Sequence, residues 1–342
     1  MTIKKKLLQL GFAMVLSQAI PNSVQAERFD DGLAPEYYAV FKGKKIAFVP
    51  LSMGFDLTQG WNAAMQRSAK ELGYEIIIRD SNWSVEAGAQ AIEQLIIEKP
   101  DILIFHNNDM QAYSKLITRA MREGINVIQM NLKTLVNSDA YVGGDWYQVG
   151  MDEIAAAGKL CGAGTGTSGK IAILQGPPTS PPSQLGVQGM QDALKARGDM
   201  EVVSLQAADW DASKARNITA TILKQHPDLC AVVGLWDNQD IGAVAAIREA
   251  NLTGKVHVVT EGGGNRKSGC TNIESGAFSA YVKVDTRQQA SELVDVIKYL
   301  LQAKPKPGSM PIGYYTQNVT LTKDVLTPRS CWTVDEIAAG NK

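Results

Sequence analysis

The sequence lacks any excess of basic residues and contains very few histidines. Across 342 residues, 34 Lys and Arg stand against 35 Asp and Glu, and there are three His. Binding to nucleic acid phosphates requires clustered Lys and Arg, so a nucleic-acid partner is excluded. With 20% charged and 45% hydrophobic residues the composition is that of a globular protein, and the length indicates two domains of ordinary size.

Motifs for metal binding and nucleophilic catalysis are also missing. There is no HExxH or GxSxG pattern, and none of the four cysteines lies in a CxxC pair. Segment 164–170 resembles a phosphate-binding loop, but a helix is expected before it and a strand after it, which reverses the required order. Segment 261–265 follows a strand but lacks the spacing of a dinucleotide-binding motif. We therefore expect no cofactor and no metal.

Long apolar runs are absent as well. The run from Leu7 to Ile20 contains polar residues and is shorter than the roughly 20 residues that span a bilayer. It follows three lysines and precedes Ala26, which is the order of a secretory signal peptide, residues 1–26, with cleavage after Ala26. Without these lysines the chain has 31 basic and 35 acidic residues, a formal charge of −4. No cysteine for lipid attachment lies at the junction, so we expect a soluble periplasmic protein without a membrane anchor.

Export gives the four cysteines a role. Cys161, Cys230, Cys270 and Cys331 are an even number, and an oxidising compartment allows two disulfides. Four cysteines can form three different pairings, and buried free thiols are the alternative.

Short apolar runs alternate with amphipathic stretches after a polar connector, residues 27–43. The predicted strands are Lys45–Val49, Glu75–Arg79, Ile102–Phe105, Val127–Met130, Ile171–Leu174, Val202–Leu205, Ala231–Leu235, Val256–Thr260 and Ala280–Val284. The predicted helices include Thr58–Leu72, Val85–Glu98, Gln111–Glu123, Ser213–Gln225 and Arg287–Gln302. Continuously apolar strands joined by helices are typical of parallel sheets covered on both faces.

This pattern predicts an α/β protein with two doubly wound, Rossmann-like lobes, because the series pauses near Val142–Asp145 and then restarts. A last helix and a strand around Tyr314–Leu321 are expected to return to the first lobe, so that the chain crosses between the lobes three times. The predicted boundaries are 44–144 plus 286–314 for lobe 1, 145–285 plus 315–325 for lobe 2, and 326–342 for a C-terminal tail.

Ligands of open parallel sheets bind beyond the carboxyl ends of the strands, and aromatic, acidic and amide side chains follow the strands here. The candidate ligand-binding residues are Phe55, Asp56, Asn108, Asp109, Asn131, Trp210, Trp236, Asp237, Glu261 and Asp285. Aromatic rings cover the C–H face of a sugar, while carboxylates and amides bond to its hydroxyls. No Arg occurs at these strand ends, which favours a neutral sugar or polyol. Asp109 and Asp237 are also placed to cap helices expected to start at Gln111 and Gln239.

The segments 61–74, Asn108-Asp109, 209–211 and 237–243 occur in an order that resembles the ribose-binding-protein-like branch of the periplasmic sugar-binding proteins. The resemblance runs from about Lys44 to Thr322. It implies a periplasmic binding protein type I fold whose lobes close around a ligand. It also implies delivery of that ligand to an ABC permease. By position, Asp109 would bond to sugar hydroxyls and Phe55 or Leu57 would supply apolar cover. Trp210 would stack on the ring, and the strand ends with Glu261 and Asp285 would complete the contacts of the second lobe.

Three departures from this family put ribose in doubt as the ligand. The proline-rich segment 177–184 replaces an Arg-containing loop, Trp236 stands where many members have Asn, and Glu261-Gly262 replaces an aromatic–Asp pair. These changes suggest a smaller or less polar ligand. The layout also favours disulfides Cys161–Cys230 and Cys270–Cys331, because the first two cysteines precede second-lobe strands and the tail can reach the third.

The expected function is therefore that of a monomeric periplasmic solute-binding protein for a neutral sugar or polyol. A ligand-sensing subunit for a membrane kinase or chemoreceptor is the alternative, because the same lobes and closure would serve it. A secreted enzyme acting on carbohydrate would use paired carboxylates in the cleft as acid and base.

Overall fold

The protein consists of two α/β lobes, each built on a six-stranded sheet. The computed structural model describes residues 32–340. The strands are β1 (Lys45–Val49), β2 (Glu75–Ile78), β3 (Ile102–Phe105), β4 (Asn126–Met130), β5 (Ala140–Gly144), β6 (Lys170–Gln175), β7 (Glu201–Ala207), β8 (Ala231–Gly234), β9 (His257–Gly262), β10 (Ala280–Val284), β11 (Ile312–Thr316) and β12 (Asn318–Leu321). The predicted signal peptide, residues 1–26, lies outside the described residues.

Helices connect most of these strands and cover the sheets. They are α1 (Leu33–Phe41), α2 (Asp56–Leu72), α3 (Val85–Glu98), α4 (Ser114–Arg122), α5 (Trp146–Cys161), α6 (Val187–Arg197), α7 (Ala212–Gln225), α8 (Asp237–Glu249), α9 (Thr271–Glu274), α10 (Thr286–Ala303) and α11 (Val334–Ala339). Within the described residues, no helix is both long enough and apolar enough to cross a bilayer.

The two sheets have the same strand order. It is β11-β5-β4-β3-β1-β2 in the first lobe and β12-β10-β9-β8-β6-β7 in the second. The outermost strands differ, because β11 is parallel to β5 whereas β12 is antiparallel to β10. Both come from one extended segment, 312–321, that leaves one sheet and enters the other. The carboxyl ends of the parallel strands in the two sheets face each other. A segment that passes directly from the first sheet to the second therefore runs parallel to the strands of the first and antiparallel to those of the second.

Each sheet is buried on both faces, which explains its apolar strands. In the first lobe, α2 and α10 cover one face, and α3 and α4 cover the other. In the second lobe, α7 and α8 cover one face, and α5 and α6 cover the other. The chain crosses between the lobes after β5, after β10 and between β11 and β12.

Four local features differ from the sequence prediction. Part of the polar connector forms α1, because Tyr37 and Phe41 pack onto the first-lobe core. The pause near 142–145 contains strand β5 and the start of α5, and the single strand expected near 314–321 is the pair β11 and β12. Helix α4 begins at Ser114, because a turn bonded to Asp109 precedes it. Helix α8 begins at Asp237 rather than at Gln239.

Both predicted disulfides, Cys161–Cys230 and Cys270–Cys331, are confirmed. The first joins the end of α5 to the start of β8 and lies wholly within the second lobe. The second joins a helical turn of the second lobe, Arg266–Cys270, to the C-terminal tail. Directly after it, Trp332 is fully buried in the first-lobe core, and α11 packs on α2. The tail therefore contacts both lobes.

Candidate ligand-binding site

A cavity lies between the lobes, at the carboxyl ends of strands from both sheets. Its lining residues are Leu51, Phe55, Leu57, Trp83, His106, Asn131, Leu132, Trp146, Pro182, Trp210, Leu235, Trp236, Glu261, Gly262, Gly263 and Val284. Residues that follow β1, β3 and β4 come from the first lobe, and residues that follow β6, β7 and β8 or end β9 and β10 come from the second.

Aromatic rings from both lobes meet in this cavity. The ring centroid of Trp236 lies 5.8 Å from that of Phe55 and 6.0 Å from those of Trp83 and Trp210. Phe55 and Trp83 belong to the first lobe, whereas Trp210 and Trp236 belong to the second. An aromatic wall of this kind covers apolar surface of a ligand from two sides.

The backbone at Trp210 is held in an uncommon conformation. Its φ is 63°, in the left-handed region, and its amide donates to Oε1 of the buried Gln239 at 2.9 Å. The indole lies over Gly176, where an added Cβ would come within 2.1 Å of the ring. Left-handed backbone at a bulky residue costs free energy and persists only where the surroundings enforce it. The fold therefore fixes this indole against the cavity.

Two buried polar side chains of the cavity have no protein partner within residues 32–340. Glu261 is 4% exposed and its carboxyl group makes no hydrogen bond or ion pair there. His106 is also 4% exposed, and neither ring nitrogen has a hydrogen-bond partner. Burial lowers the pKa of His106 to about 3, so the ring is neutral at physiological pH and offers one donor and one acceptor. A buried polar group without a partner is costly, which makes both side chains candidates for ligand bonds.

Further carboxyl groups lie beneath Glu261. Asp237 accepts a hydrogen bond of 2.8 Å from the Tyr281 hydroxyl, and Asp240 accepts one of 2.6 Å from Thr260. Burial is the main cause that raises the pKa of Asp237 to about 8 and that of Asp240 to about 7. Burial, followed by the charges of Asp237 and Asp240, also raises the pKa of Glu261 well above its ordinary value. Among the described residues no Lys or Arg lines the cavity, and no cluster of His, Cys, Asp or Glu is arranged to hold a metal ion.

Hydrogen bonds join the two lobes around the cavity. The Trp210 indole nitrogen donates to Oδ1 of Asn108 at 2.8 Å, and the Ser268 hydroxyl donates to Oδ2 of Asp56 at 2.9 Å. In addition, the backbone nitrogen of residue 110 donates to the carbonyl oxygen of residue 179 at 3.1 Å. The lobes are therefore in a closed arrangement, and the cavity lies between them.

The structure brings half of the predicted site residues to the cavity wall. These are Phe55, Asn131, Trp210, Trp236 and Glu261. The others lie outside the lining. Asp56 and Asn108 make the bonds between the lobes, and Asp237 lies beneath Gly262.

Asp109 and Asp285 have local partners instead. Asp109 accepts hydrogen bonds from the backbone nitrogens of Gln111 and Ala112. Asp285 caps α10 and forms an ion pair of 2.8 Å with Lys283, which is nearly buried.

Most of the apolar lining was not predicted. The missed residues are Leu51, Trp83, His106, Leu132, Trp146, Pro182, Leu235, Gly262, Gly263 and Val284, whereas Leu57 was expected as the alternative to Phe55 and lines the cavity with it. His106 and Leu235 directly follow β3 and β8, so the rule that ligands bind beyond strand ends would have found them. Trp83 follows β2 at a distance and reaches the cavity because left-handed backbone at Asn82 and Trp83 turns the chain.

Comparisons with known proteins agree with this architecture. A family model described as a periplasmic binding protein domain matches residues 46–305. The D-ribose/D-allose-binding protein of Pseudomonas aeruginosa is 30% identical over 173 residues, which are 49% of this chain and 53% of that protein. The ribose import binding protein RbsB of Haemophilus influenzae is 26% identical over 315 residues, 90% of this chain and 97% of that protein.

A solved structure shows the same fold. It is a carbohydrate transporter solute binding protein from Agrobacterium Radiobacter in complex with D-arabinose, which superposes with a TM-score of 0.75 at 17% identity. The superposition covers 84% of this chain and 96% of that one. The family match over residues 46–305, together with the two lobes and the cavity between them, assigns this chain to the periplasmic binding protein family.

Proposed function

We propose that this protein is a periplasmic solute-binding protein, which captures a neutral sugar or polyol between its lobes and delivers it to an ABC permease. The observation that carries the proposal is the cavity between the lobes, which combines aromatic rings from both lobes with two side chains, His106 and Glu261, that make no hydrogen bond within the described residues. The relatives named for ribose and allose support a sugar as the ligand.

The cavity provides both parts of sugar recognition. Trp210 and Trp236 offer rings for the C–H face of a sugar, and the side chains of His106, Asn131 and Glu261 offer bonds to hydroxyls. Closure removes these groups from water, so that ligand hydroxyls become their only partners. A micromolar ligand needs only about −8 kcal/mol of binding free energy.

We assign different roles to the remaining candidate residues. Asp56 and Asn108 hold the closed arrangement, since each accepts a hydrogen bond from the opposite lobe. Asp237 supports the loop that carries Glu261, and Asp109 and Asp285 fix the turns that follow β3 and β10. None of these roles is catalytic.

A periplasmic location, a cleaved signal peptide and a monomeric state belong to the same proposal. Two disulfides suit an oxidising compartment of this kind. Transport is tested by measuring uptake of the bound sugar in cells with and without the gene, and equal uptake would contradict delivery to a permease.

Calorimetry with a panel of sugars and polyols tests the binding function, and native mass spectrometry of protein purified without refolding can reveal a bound ligand. Replacement of Trp236 by Ala is expected to weaken binding by more than about 1 kcal/mol, or roughly tenfold. Tyr299→Ala, at an exposed ring on α10, is the control and should leave affinity unchanged. Absence of heat with every panel member, or an unchanged affinity of Trp236→Ala, would count against the assigned site. Recovery of altered ligand after incubation would instead indicate an enzyme.

A further inference from the structure

Polar partners for a ligand are scarce in this cavity. Of its sixteen lining residues, only His106, Asn131 and Glu261 carry a polar side chain other than an indole. The side-chain oxygen of Asn131, Oδ1, is already engaged, because it accepts a hydrogen bond of 3.0 Å from the side-chain amide of Gln289.

The indole nitrogens add donors but no acceptors to this supply. Four tryptophans line the cavity, and two of them already donate to the protein. Trp210 donates to Asn108, and Trp146 donates to the backbone oxygen of Asn131 at 2.8 Å.

An aliphatic wall makes up much of the remaining surface. It consists of Leu51, Leu57, Leu132, Leu235 and Val284, none of which is more than 8% exposed. A hydroxyl group that pointed at this wall would lose its water on closure and gain no partner, which lowers affinity. A methyl or methylene group in the same place would fit without that loss.

We infer that the ligand is a deoxygenated sugar or polyol, with a few hydroxyls at the Glu261 and His106 end and an apolar remainder against the aliphatic wall. The inference rests on the proposed function and narrows its ligand class. Each lobe supplies one of the two unpartnered polar side chains, so a short hydroxylated edge bonds to both lobes at once.

A ligand ammonium group is the other chemistry that would satisfy Glu261. The two neighbouring carboxyl groups, Asp237 and Asp240, are each bonded to neutral donors and not to a cation. By analogy we expect a ligand hydroxyl, and not an ammonium group, at Glu261. Asp237 is bonded to the Tyr281 hydroxyl, and Asp240 is bonded to the Thr260 hydroxyl and the Gln239 amide. Burial, which raises the pKa of all three carboxyl groups, agrees with this preference.

Matched ligand pairs test the inference by calorimetry at pH 7 with the full mature protein. The pairs are D-fucose with D-galactose, 2-deoxy-D-ribose with D-ribose, and 1,2,6-hexanetriol with D-sorbitol; D-galactosamine is the amine counterpart. In at least one pair the deoxygenated member is expected to bind tenfold more tightly or better, equivalent to about 1.4 kcal/mol. Tighter binding of the fully hydroxylated member in every responding pair would overturn the inference and leave the proposed function standing. If no member of the panel binds, both the inference and the proposed function are contradicted.

Variants at Glu261 separate hydroxyl from ammonium recognition. Glu261→Gln keeps a donor and an acceptor, so it should retain affinity for the preferred deoxygenated ligand within about threefold, whereas Glu261→Leu should lose tenfold or more. Preferred binding of D-galactosamine, abolished by Glu261→Gln, would overturn the inference.

Val284→Thr, which adds one hydroxyl to the aliphatic wall at nearly constant size, should reduce the preference within the responding pair. Thermal melts of each variant show whether it is folded.

Discussion

The two lobes share one strand order but are stabilised differently. The first lobe has no cysteine in its sheet or covering helices, and it buries one carboxyl group, Asp139, which accepts hydrogen bonds from the backbone nitrogens of Val127 and Gly308. The second lobe contains Cys161–Cys230, and it buries four carboxyl groups: Glu153, Asp237, Asp240 and Glu261. Burying carboxyl groups opposes folding, while a disulfide restrains the unfolded chain. One topology therefore accommodates a lobe with a single, fully hydrogen-bonded buried carboxyl group and a lobe that carries both the acidic groups of the site and a disulfide of its own.

The C-terminal tail connects these two different lobes. Cys331 fixes it to the second lobe, and the indole nitrogen of Trp332 donates to the carbonyl oxygen of Gly263 at the cavity wall. The Trp332 ring itself lies in the core of the first lobe, next to Gly60 of α2. Separation of the lobes must therefore move the tail away from one of them.

Removal of each disulfide in turn gives the largest expected effect. The loops closed by Cys161–Cys230 and Cys270–Cys331 span 69 and 61 residues, so the chain-entropy model predicts a loss of about 4 kcal/mol in the free energy of unfolding for either pair of Ser replacements. The effects on ligand binding should differ. Ligand dissociation should stay the same without Cys161–Cys230, because that disulfide lies within one lobe.

Without Cys270–Cys331, dissociation should be several times faster, because the tail no longer ties the second lobe to the first. Urea denaturation and stopped-flow dissociation measure the two quantities, and each double variant is the control for the other. Equal dissociation rates in both variants would show that the tail does not restrain opening.

A pH titration of the ligand-free protein probes the acidic groups of the second lobe. The pKa values of Asp237, about 8, and Asp240, about 7, are raised from 3.8, so the folded protein holds protons that the unfolded chain has released. Their contribution to stability is fully present below about pH 4 and is lost as pH rises through the raised values. Glu153 and Glu261 act in the same direction.

His106 has the opposite effect on stability, because its pKa is lowered in the folded protein. Above about pH 7 its side chain is neutral in the unfolded chain as well, so it no longer changes the slope. Asp237 and Asp240 alone should therefore lower the free energy of unfolding by about 2 kcal/mol between pH 7 and pH 9, and Glu153 and Glu261 should add to this fall. Urea denaturation at several pH values measures the slope. Asp237→Asn is the control, because the amide still accepts a hydrogen bond from Tyr281 but does not titrate, so the slope should be smaller. Stability that rose over this range would contradict the assigned burial.

Sequence patterns predicted the fold more completely than the site. Continuous apolar strands such as Ile102–Phe105 have one explanation, burial on both faces, and the structure has that strand at the predicted residues. The pairing of the cysteines was also predictable once two lobes were assumed. The aliphatic lining was not, because Leu132 or Val284 looks the same in sequence whether it faces a core or a cavity. Asp109 and Asp285 show the converse, since a strand-end carboxylate can bond to its own helix or turn and lie outside the cavity lining.

Loss of the hydrogen bond between Trp210 and Asn108 should have the smallest effect on ligand affinity, because it is a single bond between the lobes. Trp210→Phe and Asn108→Ala each remove one partner of the 2.8 Å hydrogen bond and should each weaken ligand binding several-fold, with little change in stability. If the bond is what couples the two residues, the double variant should lose hardly more affinity than either single variant, a coupling free energy of about 1 kcal/mol. Tyr147→Phe, which removes an exposed bond to Asp192 within the second lobe, is the matched control and should leave affinity unchanged. Additive effects in this cycle would mean that the two side chains act on the ligand independently and that other contacts hold the lobes together.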